Sequence, residues 1–550
     1  MSIPSSTVTF LQGGTGAVQR TVQDKLAERI SVADFAGSDP TGTTDSTAAF
    51  QAALNYLASL PYGGELFIPC GLYILSSKLT FSGPAITVRG AGRNTTWLQW
   101  TAASSSQGLS FSLGSPPNTF PPSAPITEPT FRDFTLNTLA NNSGDAIAIY
   151  YGAPGTVFRP VTIEYVAILS PGGPATANWT NGLHIQNGQE VFVRNCLIIA
   201  GNVNFTNCLF LDYDVSVSAY DIRIDACTFQ GATTATLYAN GRMESLFISN
   251  CSFEFAHQGV YCNASSVSPF SDVLSLTNSQ ITCQYIGINM NNWTTIYIHG
   301  TDVYSGTGGG LDTNGSNISL TNCNKAHITG CKIEVGYTTG ISRVGITGTN
   351  TNNVAISGCQ IYANAAGISI AGATSTNWVI QGNVITGAGG IGTNGIITGV
   401  GMPGTYVISG NTISSFSTGV AMQSPNARVG GNLILNCTTG IYSATSGIDA
   451  RSNEMVNNTN DFQGGMRRDF VITQSLTPSV VSNNASTAVG LTLTGAEPGD
   501  SVQVAAPSGL SNLLASAWVN GANGGVMNFY NLTGSPVTPP SGIYTFYVSN

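Results

Sequence analysis

From about residue 190 the chain repeats one short theme: apolar-x-apolar-x-x-(Cys or Asn)-x-apolar. It reads Val191-Phe-Val-Arg-Asn-Cys196-Leu-Ile198, Ile222-Arg-Ile-Asp-Ala-Cys227-Thr-Phe229 and Leu246-Phe-Ile-Ser-Asn-Cys251-Ser-Phe253. Ser279, Thr301, Cys331 and Cys359 hold the same slot further on, followed by Asn383, Asn411, Asn432 and Asn453. Successive slots are 21 to 31 residues apart. A theme recurring at that period marks a solenoid. Each unit carries period-2 strands broken by Gly and Asn and has no room for a helix. That predicts an all-β parallel β-helix with coils stacked about 4.8 Å apart. A further strand follows as Gly-apolar-x-apolar, for example Gly259-Val-Tyr-Cys262 and Gly367-Ile-Ser-Ile370.

The slot residues read as structural. A small, weakly polar thiol stacks on its copies along the coils, and free Cys behaves as a small buried hydrophobe. Asn takes over later, where amides bond along the ladder. Upstream, residues 65–100 hold strand-like pieces. Before them one helix is predicted over 46–60, capped by Asp45 or Ser46, with Phe50, Ala53, Leu54, Leu57 and Leu60 on one face. Its expected place is over the open end of the coil, which is otherwise an unpaired edge. After residue 465 the repeat stops. Leu491-Thr-Leu493, Val502-Gln-Val504, Met527-Asn-Phe529 and Tyr544 to Val548 alternate between turn clusters, which predicts a small C-terminal β-sandwich over 466–550.

Composition agrees. Charged residues are only 8% of the 550, too few for many solvent-facing helices, and Gly reaches 65. The net charge of -9 excludes the basic excess of a nucleic-acid binder. No segment has 18 consecutive apolar residues and no signal-type run opens the chain, so neither membrane insertion nor secretion by a leader is expected. The 11 cysteines show no CxxC pair or zinc spacing, and no acidic cluster has calcium-loop spacing; no cofactor or metal is expected.

Gly16-Ala-Val-Gln-Arg-Thr-Val-Gln-Asp-Lys-Leu26 and Ser31-Val-Ala-Asp-Phe35, then Thr44 to Leu54 and Pro69-Cys-Gly-Leu-Tyr-Ile74, resemble the opening of bacteriophage tailspike proteins. In that family these motifs precede a pectate-lyase-like right-handed parallel β-helix. Here Gly37-Ser-Asp-Pro-Thr-Gly42 stands where the family usually has Gly-Asp-Gly, a structural turn. The resemblance implies a virion-attachment arm at 1–32 that docks on the phage tail, baseplate or an adaptor. It implies a β-helix at 33–465 and a trimerisation module at 466–550. It also implies a homotrimer on the virion tail that binds a bacterial capsule, exopolysaccharide or O-antigen and often cleaves it.

Active-site positions vary within that family, so outward slots are read directly. The coils of Thr301 and Cys331 are richest, with Asp302, Tyr304 and Asp312, then Lys332, Glu334 and Arg343. Asp302 and Glu334 fall on neighbouring coils, two residues apart along the strand, a backbone separation of about 8 Å. Inverting glycosidases hold their carboxyls about 6.5–9.5 Å apart. The competing reading is a surface ladder in which Lys332 pairs with both acids. Glu254 with His257 is a second candidate. Asp212 with Asp214 is a third, two carboxylates about 6.8 Å apart on one strand. Arg132, Glu164, Arg194 and Asp225 alternate in sign in one slot and read as a structural charge ladder. For sugar binding, Phe210, Tyr238 and Tyr261 share one slot, with Asn240, Asn263, Asn291 and Asn314 two residues on, and Trp293 and Tyr337 lie in loops. Aromatic faces stack on sugar rings. A lyase acting on a uronate would instead use a base and a cation, for which Lys332, Tyr304 and Arg343 are the candidates. Hydrolysis is the expected chemistry, with glycan binding alone as the rival.

Overall fold

The computed structural model describes residues 4–26, 28–83, 85–101, 108–113, 128–141, 143–152, 160–170, 177–201, 204–213, 220–264, 273–306, 315–336, 342–388, 393–445, 447–464, 466–467, 469–510 and 512–550. It divides into two units, Met1–Gln284 with Asn292–Thr294, and Tyr285–Asn291 with Thr295–Asn550.

In the first unit the repeats become coils, of three strand legs at first and of two where the second and third run together, as in Thr228–Asn240 and Ser252–Asn263. Val161–Glu164, Ala167–Ser170 and Asn181–Gln186 make one coil; Val191–Arg194, Leu197–Ala200 and Phe205–Asp212 make the next. Corresponding legs pair in parallel without offset, Val161 on Val191, Ile168 on Ile198, Leu183 on Leu209. Period-2 alternation sets what faces in: Val191 and Val193 are buried while Phe192 and Arg194 face out. A single left-handed residue turns the first leg into the second, Asn195, Ala226 and Asn250 in successive coils. Asn tolerates that region better than most residues.

The slot cysteines follow that turn and line up as expected. Cys196, Cys227 and Cys251 are buried, and each thiol donates to the carbonyl two residues back, at 3.2, 3.3 and 3.1 Å. Each also reaches a carbonyl one coil earlier, Ile163, Val193 and Ile224. The thiols thus add a second donor to carbonyls that already accept a backbone amide, Arg194 from Tyr165, Asp225 from Asn195 and Ser249 from Ala226. No disulfide joins any of the 11 cysteines, and only Cys70 is exposed. Thiolate is the reactive form, and burial pushes groups such as Cys208 well above the ordinary thiol value. Ellman's reagent is expected to titrate one thiol per native chain and 11 after unfolding.

The capping helix spans Thr47–Ser59 and buries Ala49, Phe50, Ala53, Leu54 and Leu57 against strands Gly64–Ile68 and Leu79–Phe81. Asp45 supplies its cap, accepting from the Thr47 amide at 2.9 Å. Ser46 instead accepts from the Asp39 amide at 3.0 Å. Asp39 organises the turn where the family motif departs. It accepts from the amides and hydroxyls of Thr41, Thr43 and Thr44.

The second unit continues the same architecture. Cys331 and Cys359 repeat the thiol-to-carbonyl bonds, and Gly330 and Gly358 take the left-handed turn. From Asn383 the slot becomes an amide ladder. Asn383 Nδ2 donates to Asn411 Oδ1, Asn411 to Asn432 and Asn432 to Asn453, each at 2.9 Å. Among the described residues the last coil strand is Met466–Arg467, paired with Ile448–Asp449. Beyond it, two three-stranded antiparallel sheets enclose Leu491, Leu493, Met527, Phe529, Tyr544 and Phe546, with Phe529 edge-on to Tyr544. This is the expected sandwich.

Candidate functional site

In the second unit, strands Asp302–Ser305 and Lys332–Val335 lie on neighbouring coils, with Asp302 beside Lys332 and Tyr304 beside Glu334. Val303, Ser305, Ile333 and Val335 point into the core, which turns Asp302, Tyr304, Lys332 and Glu334 outward. Asp302 and Glu334 therefore sit diagonally, at a backbone separation of about 8 Å. Tyr362 pairs with Glu334 from the next coil, so Glu334 lies between two tyrosines. Lys332 Nζ donates to Glu334 Oε2 at 2.8 Å. That bond, with the charges of Glu334 and then Asp302, raises the Lys332 pKa and holds the amine protonated.

Sequence reasoning missed Asn317, which fixes this geometry from below. It is fully buried, and its Nδ2 donates to the carbonyls of Val303 at 3.1 Å and Glu334 at 2.7 Å. Ser305 donates its hydroxyl to the Asn317 Oδ1. One amide thus ties both site strands together. Its signal in the sequence is a polar residue at a core position, Ser316-Asn-Ile-Ser-Leu320, which period-2 reading passes over.

Two expected binding residues lie elsewhere. Arg343 is fully buried, its Nη1 donating to the Tyr285 carbonyl at 3.3 Å. It stands in the turn before strand Val344–Thr349, where strand alternation does not govern direction. Trp293 is also buried, as core filling in a turn after strand Gln280–Asn291. Neither side chain reaches the surface of this chain. Asp214, Asp312 and Tyr337 lie outside the described residues. Glu254 and His257 are half-buried on strand Ser252–Asn263, with Glu254 accepting the Ser252 hydroxyl at 2.6 Å.

In the first unit Phe210, Tyr238 and Tyr261 do share a column, and His184 heads it. The rings stack on one another, with centroids 4.6, 5.2 and 4.8 Å apart and planes within 28°. Their inner faces are therefore covered, and the column presents ring edges and phenol hydroxyls rather than platforms for sugar stacking. Beside it Asn240 donates to Asp212 at 3.0 Å and Asn263 to Asn240 at 3.5 Å, an amide ladder that closes on itself. The alternating column of Arg132, Glu164, Arg194 and Asp225 is also in register.

A second buried network escaped the sequence. Asp145 accepts from Tyr150 at 2.8 Å and Asn181 at 2.7 Å, and shares a 2.8 Å bond with His184 Nδ1. Burial pushes the Asp145 pKa up, but the bonds from His184, Asn181 and Tyr150 outweigh it and leave the carboxyl below its ordinary value. Truncating Asp145 leaves the Tyr150 hydroxyl and the Asn181 amide without this acceptor, at about 1–3 kcal/mol for each. Asp145→Ala is expected to lose an increment of that order in chemical denaturation at neutral pH. Because the folded pKa is depressed, the native protein keeps this stabilisation above about pH 4 and loses it as pH falls through the folded value.

Comparison with known proteins fits this architecture. The rhamnogalacturonase A/epimerase, pectate lyase-like family profile matches residues 29–261, and the periplasmic copper-binding protein (NosD) profile matches 293–470. The tail spike protein of Shigella phage Sf6 is 46% identical over 81 residues, 14% of this chain and 13% of that protein. The chain folds as a parallel β-helix of the pectate-lyase-like kind. Among solved structures, tailspike protein 3 of bacteriophage CBA120 is similar at 14% identity. That match covers 82% of this chain and 64% of that one, with a TM-score of 0.48. A tailspike double mutant from E. coli bacteriophage HK620 is also 14% identical, covering 99% of this chain and 97% of that one at a TM-score of 0.46. The match to the Sf6 protein spans about an eighth of that protein's length. Among the described residues no helix is long and apolar enough to cross a membrane.

Proposed function

We propose that this chain is a phage tailspike that binds a bacterial surface polysaccharide, a capsule, exopolysaccharide or O-antigen, and hydrolyses its glycosidic bonds during host adsorption. Glu334 and Asp302 are the acid–base pair. Glu334, bonded to an ammonium, activates water, and Asp302 protonates the leaving oxygen. Tyr304 and Tyr362 flank the pair as sugar contacts. The observation that carries hydrolysis over elimination is the state of the cations. Lys332 is held protonated on Glu334 and cannot serve as a base, and Arg343 is interior and cannot neutralise a uronate. Lys332 aside, the outward acid–base groups among the described residues of these two strands are the two carboxylates and Tyr304, and only the carboxylates offer both an acid and a base.

The proposal includes a homotrimer on the virion tail. The C-terminal sandwich exposes Leu514, Trp518, Tyr530 and Leu532 on or beside one sheet, and Val471, Ile543 and Tyr547 on the other. Apolar side chains gathered on a small module suit coverage by neighbouring copies. The N-terminal hairpin, Thr9–Leu11 with Gln19–Thr21, leaves Leu11 and Val18 exposed and suits docking on a tail component.

Incubation with host polysaccharide tests the reading. New reducing ends without unsaturated-uronate absorbance are expected. Binding without any new ends would reduce the protein to an adhesin.

A further inference from the structure

A cleft of about 520 Å³ on the first unit belongs to neither the acid–base pair nor the ring column. Its floor is a grid of outward side chains on three successive first legs, Val191–Arg194, Ile222–Asp225 and Ser245–Ser249. Register places Phe192, Arg223 and Phe247 in one column, and Arg194, Asp225 and Ser249 in the next. Elsewhere on this face arginine alternates with acid, as Arg132 with Glu164. Arg223 instead stands between two phenylalanine rings, with its guanidinium carbon 5.6 Å from the Phe247 centroid. The Arg194 guanidinium lies 5.0 Å from the Phe192 ring.

The charges in the cleft are unevenly engaged. Asp225 is satisfied, accepting from Ser249 at 2.6 Å and Asn250 at 3.0 Å, and these bonds lower its pKa. The two guanidiniums are held only loosely by acids on the rim. Arg194 is 3.7 Å from Glu164 and Arg223 is 4.0 Å from Asp221, both beyond hydrogen-bond distance. A guanidinium offers five donors in a planar fork that matches a carboxylate. Phe247 is 38% exposed, an apolar surface left in water beside those donors. Two forks with spare donors around an exposed ring ask for a ligand that brings both acceptors and a C–H face.

We propose that this cleft is a binding subsite for a carboxylate-bearing sugar, with Arg223 and Arg194 holding the carboxylate and Phe247 supporting the pyranose face. The inference rests on the glycan reading above and adds an acidic sugar to the chemistry of the bound polymer. The occupant is a saccharide rather than a bare anion because the ring lies beside the forks. Ring stacking and a bidentate pair act together, so the site discriminates a uronate from its neutral counterpart.

The test is saturation-transfer NMR on the full chain with methyl β-D-glucuronide, methyl β-D-glucoside and acetate. The glucuronide is expected to bind and the glucoside to bind far more weakly. Arg223→Gln is expected to weaken the glucuronide by about 10- to 100-fold, the range for a lost charged hydrogen bond. Phe247→Ala should weaken the glucuronide while leaving acetate binding unchanged. Arg132→Gln, on the same face two coils earlier, should change nothing. Equal binding of both glycosides, or acetate binding with no glucuronide binding, would overturn the proposal. So would an altered oligomeric size in Arg223→Gln with the sugar signal intact, which would make the cleft an interface between copies. The readout needs no cleavage: a spike that binds glucuronide yet cuts nothing refutes the hydrolase reading and leaves this one standing.

Discussion

Glu334→Gln is expected to cut polysaccharide cleavage by about 10²- to 10⁴-fold, the span that one positioned acid or base contributes. Asp302→Asn should fall in the same range, and the double variant should be little worse than the slower single one, because the two groups act as a unit. Glycan binding should survive in all three, since neither side chain is part of the core and the strands keep their register. Asn317→Ala separates position from chemistry. It leaves both carboxylates in place but frees the strands they stand on, so the rate is expected to fall while the Glu334 and Asp302 side chains are intact. Reducing-end kinetics on one defined polysaccharide measure all four. If Glu334→Gln and Asp302→Asn both retain full rate, the acid–base pair lies elsewhere on the coil.

The largest stability effect is expected from Asn411→Ala. Asn411 Oδ1 accepts from the backbone amide and the side chain of Asn383, both at 2.9 Å. Its Nδ2 donates to the Ile380 carbonyl and to Asn432, also at 2.9 Å. Truncation strands several buried polar groups at once, each costing about 1–3 kcal/mol when left unpaired. Their shared network makes a loss of roughly 4 kcal/mol a reasonable centre for the effect. Urea denaturation followed by tryptophan fluorescence should show a clearly lowered midpoint. Cys359→Ser should be much milder, because a hydroxyl can make the same bonds to the Ser357 and Ile328 carbonyls. An Asn411→Ala midpoint equal to the native one would mean that the ladder carries no net stability.

Repetition decides what the sequence discloses. Cys196, Cys227 and Cys251 could be aligned because each follows the same two-strand theme, and a side chain facing in once must face in at every copy. The diagonal of Asp302 and Glu334 was legible for the same reason, since strand period and slot spacing together fix register. Direction fails where the period stops. Arg343 and Trp293 stand in turns, and the alternation that placed Lys332 outward says nothing there. Ring planes are likewise invisible: the shared slot of Phe210, Tyr238 and Tyr261 gave the column but not the stacking that covers their faces. Asp145 and His184 are 39 residues apart in early coils that lack the slot motif. Even so, Gly182-Leu-His-Ile185 carries the Gly-apolar-x-apolar pattern, and its x position is the one that Phe210 repeats a coil later.

The proton spectrum of the sugar end released in the first moments of cleavage tests the central claim most directly. Two carboxylates on a diagonal of about 8 Å leave room for a water on the far face of the sugar, so the new reducing end should appear with inverted anomeric configuration before it mutarotates. A retained anomer would require a carboxylate close enough to attack the sugar itself, and an unsaturated terminus would require a base that Lys332 cannot be. Either product would contradict the assignment of Asp302 and Glu334 as a hydrolytic pair.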